Sequence, residues 1–168
     1  MINHIKTDFM KKLFIFFIFC SNISFSQIFT LDELVNISNM NTDEFDSFVI
    51  SKGYEFFKTE TDDYSENIIY AHNLKSNNIA PSYISKYMFK KNPNTMVSYQ
   101  TLEKEVYISI KKQIKTLGFV FVDTETNENK SIFLNYKKGE IKLTLTSILS
   151  VKNPGNTFYE ISITSPNK

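Results

Sequence analysis

Three short sequence landmarks occur twice, in the same order, along this chain of 168 residues. They are Lys-Asn-Pro at 91–93 and 152–154, Gly-aromatic-x-Phe at 53–56 and 118–121, and Thr-Glu-Thr at 59–61 and 124–126. The two copies of each landmark begin 61 or 65 residues apart. Collinear repetition at such a spacing is typical of a chain made from two copies of one structural unit. The sequence therefore predicts an internal duplication.

Each proposed copy shows helical periodicity followed by four strand patterns. In the first copy, Thr30 and Glu33 match a capping box, Thr42 offers a second N-cap, and Gly53 suits a helix end. In the second copy, a helix capped by Thr101 carries an apolar stripe that ends at Gly118. The stripe consists of Leu102, Val106, Ile110, Ile114 and Leu117. The predicted strands are 54–60, 67–72, 82–90, 95–100, 119–124, 131–137, 140–150 and 157–164.

These patterns predict an α+β fold. Two tandem α–β4 repeats, 27–100 and 101–168, should form a single domain, because neither copy of about 70 residues would bury a large core alone. We expect the strands to join into one antiparallel sheet of about eight strands, with the helices on one face.

This order of elements resembles the β-lactamase inhibitor protein and other secreted modules built from α–β4 repeats. The resemblance rests on element order and unit length and on no shared motif, and it implies a protein partner. The Gly-aromatic-x-Phe motif after a helix also looks like that of uncharacterised secreted proteins of Bacteroidota. This second likeness implies no function.

The first 26 residues resemble a cleaved export signal. Lys11 and Lys12 precede an apolar run over 13–20, and Ser24 and Ser26 fit the small positions before a cleavage site at Gln27. Eight apolar residues are too few for a membrane anchor, which needs about 20. Lipid attachment at Cys20 is disfavoured, because bulky Phe19 precedes it. We expect a periplasmic or extracellular protein that does not insert into the membrane after cleavage, with either Met1 or Met10 as its first residue.

The composition of the mature chain excludes several classes of function. Cleavage before Gln27 leaves 16 basic and 17 acidic side chains and no cysteine, and the whole chain contains no arginine. A net charge of −1 does not drive binding to nucleic acid. Disulfides and thiolate metal sites are excluded. The four glycines form no phosphate-binding loop.

No catalytic signature occurs in the mature chain, so we expect no enzyme, no cofactor and no metal. His72 is its only histidine, and the acidic stretches 61–66 and 123–129 lack the spacing of a calcium loop. A carboxylate-based hydrolase using Glu60 and Glu125 is the one enzymatic alternative.

The aromatic residues provide the strongest functional hint. If Tyr54 and Phe56 face the helices, alternation sends Phe57 to the opposite sheet face. If Ile132, Leu134, Tyr159 and Ile161 also face the helices, alternation sends Phe133 and Phe158 to that opposite face as well. Tyr83 and Tyr87 share one face of their strand, which the pattern alone does not assign. These five residues are the candidate binding site, for another protein or for an apolar or glycan ligand. The alternatives are that a loop, the curvature of the sheet or a homodimer partner covers the rings, and that the protein has a structural envelope role through self-association.

Overall fold

A computed structural model describes residues 29–128, 130–149 and 157–166. These residues form three α-helices and eight β-strands. The helices are α1 (Leu31–Ser38), α2 (Thr42–Ser51) and α3 (Lys104–Thr116). The strands are β1 (Tyr54–Thr61), β2 (Ser65–His72), β3 (Ser82–Phe89), β4 (Asn94–Thr101), β5 (Val120–Thr126), β6 (Ile132–Lys138), β7 (Ile141–Leu149) and β8 (Thr157–Pro166).

All eight strands belong to one antiparallel sheet. Their order is β1-β2-β3-β4-β8-β7-β6-β5, so two four-stranded meanders meet where β4 pairs with β8. The pair Ser98 and Ser162 lies near the middle of that central ladder. The predicted α+β class and the single eight-stranded antiparallel sheet are thereby confirmed.

Strict side-chain alternation gives the sheet a helix side and an open side. On β7, Leu143 and Leu145 are buried on the helix side, whereas Lys142, directly before Leu143, is exposed on the open side. Alternation of this kind is expected where helices cover one face of an antiparallel sheet.

The core lies between the helices and the centre of the sheet. Helices α1 and α3 both pack on β4 and β8, while α2 packs on β1. Phe29, just before α1, is fully buried, and its ring centroid lies 5.3 Å from that of Tyr54 and 5.2 Å from that of Tyr99. Much of the large apolar area thus comes from aromatic residues, each of which buries about 150–250 Å².

The helix starts agree with the sequence in one case and correct it in two. The capping box of Thr30 with Glu33 is confirmed. The N-cap of α2 is Asn41, which forms a capping box with Glu44, and not the predicted Thr42.

The start of α3 also differs from the prediction. Its N-cap is Glu103, which makes no side-chain capping bond, and Thr101 belongs to β4. Thr101 accepts a hydrogen bond from the backbone N–H of Glu103 at 3.1 Å, so it organises the turn before the helix and not the helix itself. Leu102 therefore lies outside the helix and does not join its buried stripe, which consists of Val106, Tyr107, Ile110 and Ile114.

Several landmarks occupy corresponding places in the two meanders. Gly53 and Gly118 follow α2 and α3, with φ of 83° and 80°. A break in register falls between Phe56 and Lys58 on β1, and another between Phe121 and Asp123 on β5.

The remaining landmarks are only partly described. Each Thr-Glu-Thr segment ends an edge strand, β1 or β5. The first Lys-Asn-Pro segment forms the turn between β3 and β4. The second one, like the predicted export signal, lies outside the described residues.

Candidate functional site

The ladder registers place four of the five predicted binding residues on the open side of the sheet, and a ring contact places the fifth, Phe57, there as well. Tyr83 pairs with Gln100 and Tyr87 with Met96, in rows that alternate with the buried residues of the helix side. Phe133 pairs with Thr146, and Phe158 pairs with Ile148. The register thus assigns Tyr83 and Tyr87, whose side the sequence pattern left open.

Phe57 reaches beyond its own strand. It occupies the register break of β1, and its ring lies 5.9 Å from that of Tyr83, at 49° between the ring planes. Strand β2 runs between them, and the residue of β2 that pairs with Tyr83 is Ala71. Because a β-bulge redirects a side chain and alanine leaves room above the sheet, two strands that do not pair share one aromatic contact.

The hydroxyl of Tyr83 is held by two hydrogen bonds. Its hydroxyl donates to the carbonyl oxygen of Asn78 at 3.0 Å and accepts from the N–H of Ala80 at 2.9 Å. Both partners belong to the loop between β2 and β3, so this loop and the ring hold one another in place. A ring fixed in this way loses little conformational entropy on binding.

A depression of about 280 Å³ opens beside this aromatic pair. Its lining is Phe57, Lys58, Glu60, Asn67, Ile69, Tyr83, Ser85, Tyr87 and Gln100. Asn67 is only 4% exposed, and its Oδ1 atom has no hydrogen-bond partner. A buried polar group without a partner is costly, so this oxygen is suited to accept a hydrogen bond from a bound molecule.

Tyr87 stands at the edge of the same depression. Burial raises the pKa of its hydroxyl and the negative charges of Glu160 and Glu60 raise it further, whereas a hydrogen bond with the Asn67 side chain acts in the opposite direction. The phenol is therefore neutral at physiological pH and remains available as a hydrogen-bond donor.

A second, smaller depression of about 30 Å³ adjoins the first and shares Tyr83 and Gln100 with it. Phe158 and Leu102 line its far end and are 40% and 38% exposed. Four of the five predicted residues therefore lie together: Phe57, Tyr83, Tyr87 and Phe158. We call these four residues the aromatic patch.

Phe133 does not belong to the aromatic patch. It lies in the same transverse row as Tyr83, but Gln100, Glu160 and Thr146 separate them. Four strand intervals of about 4.8 Å place these two residues roughly 19 Å apart. The prediction that alternation sends Phe133 to the open side is correct, whereas its inclusion in one site with the other four residues is not supported by the register.

Two groups of polar side chains outside the aromatic patch are internally hydrogen-bonded on the open side. Ser98 and Ser162, paired on β4 and β8, both donate to Glu160 Oε1, at 2.6 and 3.1 Å. Farther out, Asn135 donates to Asp123 at 2.7 Å and to Glu125 at 3.2 Å. These groups satisfy one another and surround the aromatic patch with hydrophilic surface.

Two contributors to the site were not singled out from the sequence. Asn67 was taken only as the start of a strand, and Leu102 was assigned to the helical stripe. Alternation along β2 would have placed Asn67 on the open side, since it lies one position before Ile68 and three before Tyr70, which both face the helices. Its missing partner is a property of three-dimensional packing and leaves no trace in the sequence.

The groups considered for catalysis are not brought together. His72 is buried on the helix side, with its ring 5.3 Å from that of Tyr54. Glu60 and Glu125 lie on β1 and β5, the opposite edges of the sheet. Seven strand intervals separate them by roughly 34 Å, whereas a glycosidase pair lies within about 10 Å. Within residues 29–128, 130–149 and 157–166, no cluster of His, Cys, Asp and Glu could hold a metal ion.

Comparison of the chain with protein-family models, with curated proteins and with solved structures found no match in any of the three. None of the three described helices combines the length and the apolar character needed to cross a bilayer.

Proposed function

We propose that this chain is an exported, non-catalytic binding module that recognises another protein through the open side of its sheet, at the aromatic patch. The observation that carries the proposal is the convergence of Phe57, Tyr83, Tyr87 and Phe158 around two adjoining depressions. Aromatic anchors in a shallow depression with a polar rim are typical of protein interfaces.

The energetics favour a partner that covers these rings. Transfer of one such ring from water contributes roughly 1.5–3 kcal/mol before the cost of ordering is subtracted. The hydrogen bonds of Tyr83 to Asn78 and Ala80 reduce that cost, because the ring is already held. Asn67 adds a directional element, since a partner with an N–H or O–H group above it would satisfy its free Oδ1.

The same proposal includes the origin of the two halves. We infer that they are copies of one α–β4 unit, in the arrangement that resembles the β-lactamase inhibitor protein. The paired positive-φ glycines, the matching register breaks and the sheet order that mirrors about β4 and β8 support this inference. Export through residues 1–26, to the periplasm or beyond the cell, rests on the sequence pattern of that segment.

The test compares three serine variants of the same face. Phe57→Ser and Phe158→Ser each remove one ring of the aromatic patch, while Phe133→Ser makes the same change outside it. Each purified variant is immobilised, exposed to envelope fractions of the native host, and crosslinked, and the captured proteins are identified and quantified by mass spectrometry. Circular dichroism confirms that each variant is folded.

We expect one or a few proteins to be captured by the wild type and by Phe133→Ser, and to be depleted about tenfold with the two patch variants. Equal capture by all four proteins would contradict the aromatic patch as the site. If the only species lost is a crosslinked dimer of this chain, self-association replaces recognition of a different protein. Hydrolysis of a glycan that Glu60→Gln abolishes would support the enzymatic alternative instead.

A further inference from the structure

On the helix side of the sheet, Tyr70 of β2 is buried under a helix, whereas Tyr136, at the corresponding place on β6, is only half-buried. In the first meander, Phe56 and Tyr70 form a cross-strand pair with ring centroids 5.9 Å apart and an angle of 81°. In the second meander, Phe121 and Tyr136 form the corresponding pair, at 5.6 Å and 73°.

The rows that contain these pairs correspond across the centre of the sheet. The first row continues from Tyr70 through Ile84 to Tyr99, and the second from Tyr136 through Leu143 to Ile163. Tyr99 and Ile163 each follow a member of the central pair Ser98 and Ser162 by one residue. A two-fold rotation about that central pair therefore superposes one aromatic pair on the other.

Helix α2 covers Tyr70 of the first pair, whereas Phe56, on the edge strand β1, remains 59% exposed. The ring of Phe45 stands edge-on to Tyr70, 6.1 Å away at 74°, and Tyr70 is only 3% exposed. At the start of the same helix, Thr42 contacts Met88 of β3. Helix α2 thus crosses the helix side of β2 and β3 and fills the space above them.

Helix α3 lies over β8 and β4, and Leu134 and Tyr136 of β6 pack against the margin of the core without becoming buried. Phe121 is 53% exposed and Ile132 is 46% exposed, and Leu134 and Tyr136 are only half-buried. Ile132, Leu134 and Tyr136 alternate along β6 on the helix side, and Phe121 stands beside them on β5. We call these four residues the β5–β6 surface.

The rim of this surface is basic. One flank of α3 faces α1, where Gln113 accepts a hydrogen bond from the N–H of Leu31 at 3.0 Å. Tyr107 lies on the other flank, with its ring centroid 4.7 Å from that of Tyr159. Burial raises the pKa of Tyr136, and the neighbouring Tyr107 raises it further. Residues three or four apart share a helix flank, so this flank also carries three exposed lysines. They are Lys104, Lys111 and Lys115.

The end of the surface carries the same sign of charge. Lys138 ends β6 on the helix side and is exposed. Glu128 and Glu140 lie in the turns at the two ends of β6 and offset part of this charge. A second copy of the β5–β6 surface would bring like charges together, which disfavours a symmetric dimer at this place.

We propose that the β5–β6 surface binds an amphipathic helix of a partner protein, at the place that corresponds to α2, with an aromatic side chain against Tyr136 and acidic residues beside it. Helix α2 itself shows the required chemistry, since Glu44 and Asp46 flank Phe45. A helix laid in an apolar groove is a common mode of recognition, and the lysines supply the charge that selects an acidic helix. This surface is separate from the aromatic patch on the open side.

The probe is a synthetic peptide of this chain's own residues 41–52, held helical by a staple between positions 47 and 51, which are both exposed in α2. It is titrated into the isotopically labelled full chain, and the amide signals are followed by NMR. We expect saturable shifts at β5 and β6, and an affinity about tenfold lower when the peptide carries Phe45→Ala.

Two matched pairs of variants locate the binding. Tyr136→Ser should weaken the peptide about tenfold, whereas Phe133→Ser, on the other side of β6, should leave the affinity unchanged. Lys111→Glu should weaken binding and reduce its salt dependence, whereas Lys112→Glu, on the outer face of α3, should not.

Three results would overturn the proposal. The first is no saturable shift below about 1 mM peptide, and the second is equal binding of the Phe45→Ala peptide. The third is that the peptide leaves the β6 signals unmoved while they shift on removal of residues 1–28 or on dilution of the chain. Either shift would show that this chain itself occupies the surface.

Discussion

Phe57 and Tyr83 touch although their strands do not pair, with ring centroids 5.9 Å apart across β2. The contact depends on the register break of β1, which turns Phe57 toward β3, and on Ala71, which leaves the space between them. It converts two separate rings into one rigid surface. The candidate binding site is therefore organised by backbone geometry as much as by aromatic content.

The first prediction concerns the hydroxyl that fixes Tyr83. Tyr83→Phe keeps the ring but leaves the buried N–H of Ala80 without its acceptor, so we expect a loss of about 1–2 kcal/mol in the free energy of unfolding. Urea denaturation measures the loss, and hydrogen exchange at Ala80 should accelerate. Tyr64→Phe, which changes an exposed ring without such partners, is the control. Unchanged exchange at Ala80 would show that the loop does not depend on this hydroxyl.

The second prediction separates the two residues that compete for the N-cap of α2. Asn41→Ala removes the side chain that accepts from the N–H of Glu44 at 3.0 Å, and should lower the free energy of unfolding by about 1 kcal/mol. Thr42→Ala places a better helix former at the first helical position and should be close to neutral. Urea midpoints of the two variants give the comparison. A larger loss for Thr42→Ala would restore the residue that the sequence suggested.

The third prediction isolates backbone strain at the end of α3. Gly118 has φ of 80°, and nothing lies within 4 Å of the place where a Cβ would stand. Gly118→Ala should therefore cost about 1 kcal/mol through conformation alone. Gly118→Asn should cost less although its side chain is larger, because asparagine tolerates the left-handed region. If asparagine proved the worse of the two, a steric cause would have to replace conformational strain.

The fourth prediction is a loss of stability in alkali. Burial raises the pKa of the Tyr54 and Tyr99 hydroxyls, and the 2.7 Å hydrogen bond between Tyr54 and Ser82 offsets only part of this rise. An unfolded tyrosine ionises near pH 10, so above that pH the unfolded chain releases protons that the folded chain retains. The stability linked to these groups is complete below about pH 10 and falls as the pH rises; for Tyr54 the loss is about 1.4 kcal/mol near pH 11.

Phenylalanine variants test this linkage. Tyr54→Phe and Tyr99→Phe should each flatten the decline between pH 9 and 11 in urea titrations, while Tyr64→Phe, at an exposed site, should leave its slope unchanged. Equal slopes for all three variants would rule out a role for the buried phenols.

The strands and their faces could be predicted because they depend on local alternation. The predicted bounds of β1 and β3, at 54–60 and 82–90, each differ by one residue at one end from the observed ones. Alternation also sent Phe57, Phe133 and Phe158 to the side away from the helices; the register agrees for Phe133 and Phe158, and the ring contact with Tyr83 agrees for Phe57.

Other features depend on contacts that no local pattern contains. The junction of β4 with β8 joins residues that are 58 to 72 positions apart in the sequence, and the grouping of Phe57 with Tyr83 needs a bulge that alternation does not reveal. Asn41 and Thr42 are both good capping residues, so only the backbone conformation decides between them. Thr101 offered a helix start by residue type, but pairing with Tyr159 keeps it in β4.

The position of β8 in the sheet has a consequence for the order in which the chain can fold. The strand that completes the centre is the last of the eight along the sequence, so β4 and β7 both lack their inner neighbour until it arrives. A polypeptide that emerges amino end first can form the hairpins of each meander early, because those contacts are local. It cannot join the two meanders before residues 157–166 are present, and until then two unpaired strand edges face one another across the gap. The time from synthesis of β4 to arrival of β8 is therefore the interval in which this protein is most exposed to aggregation.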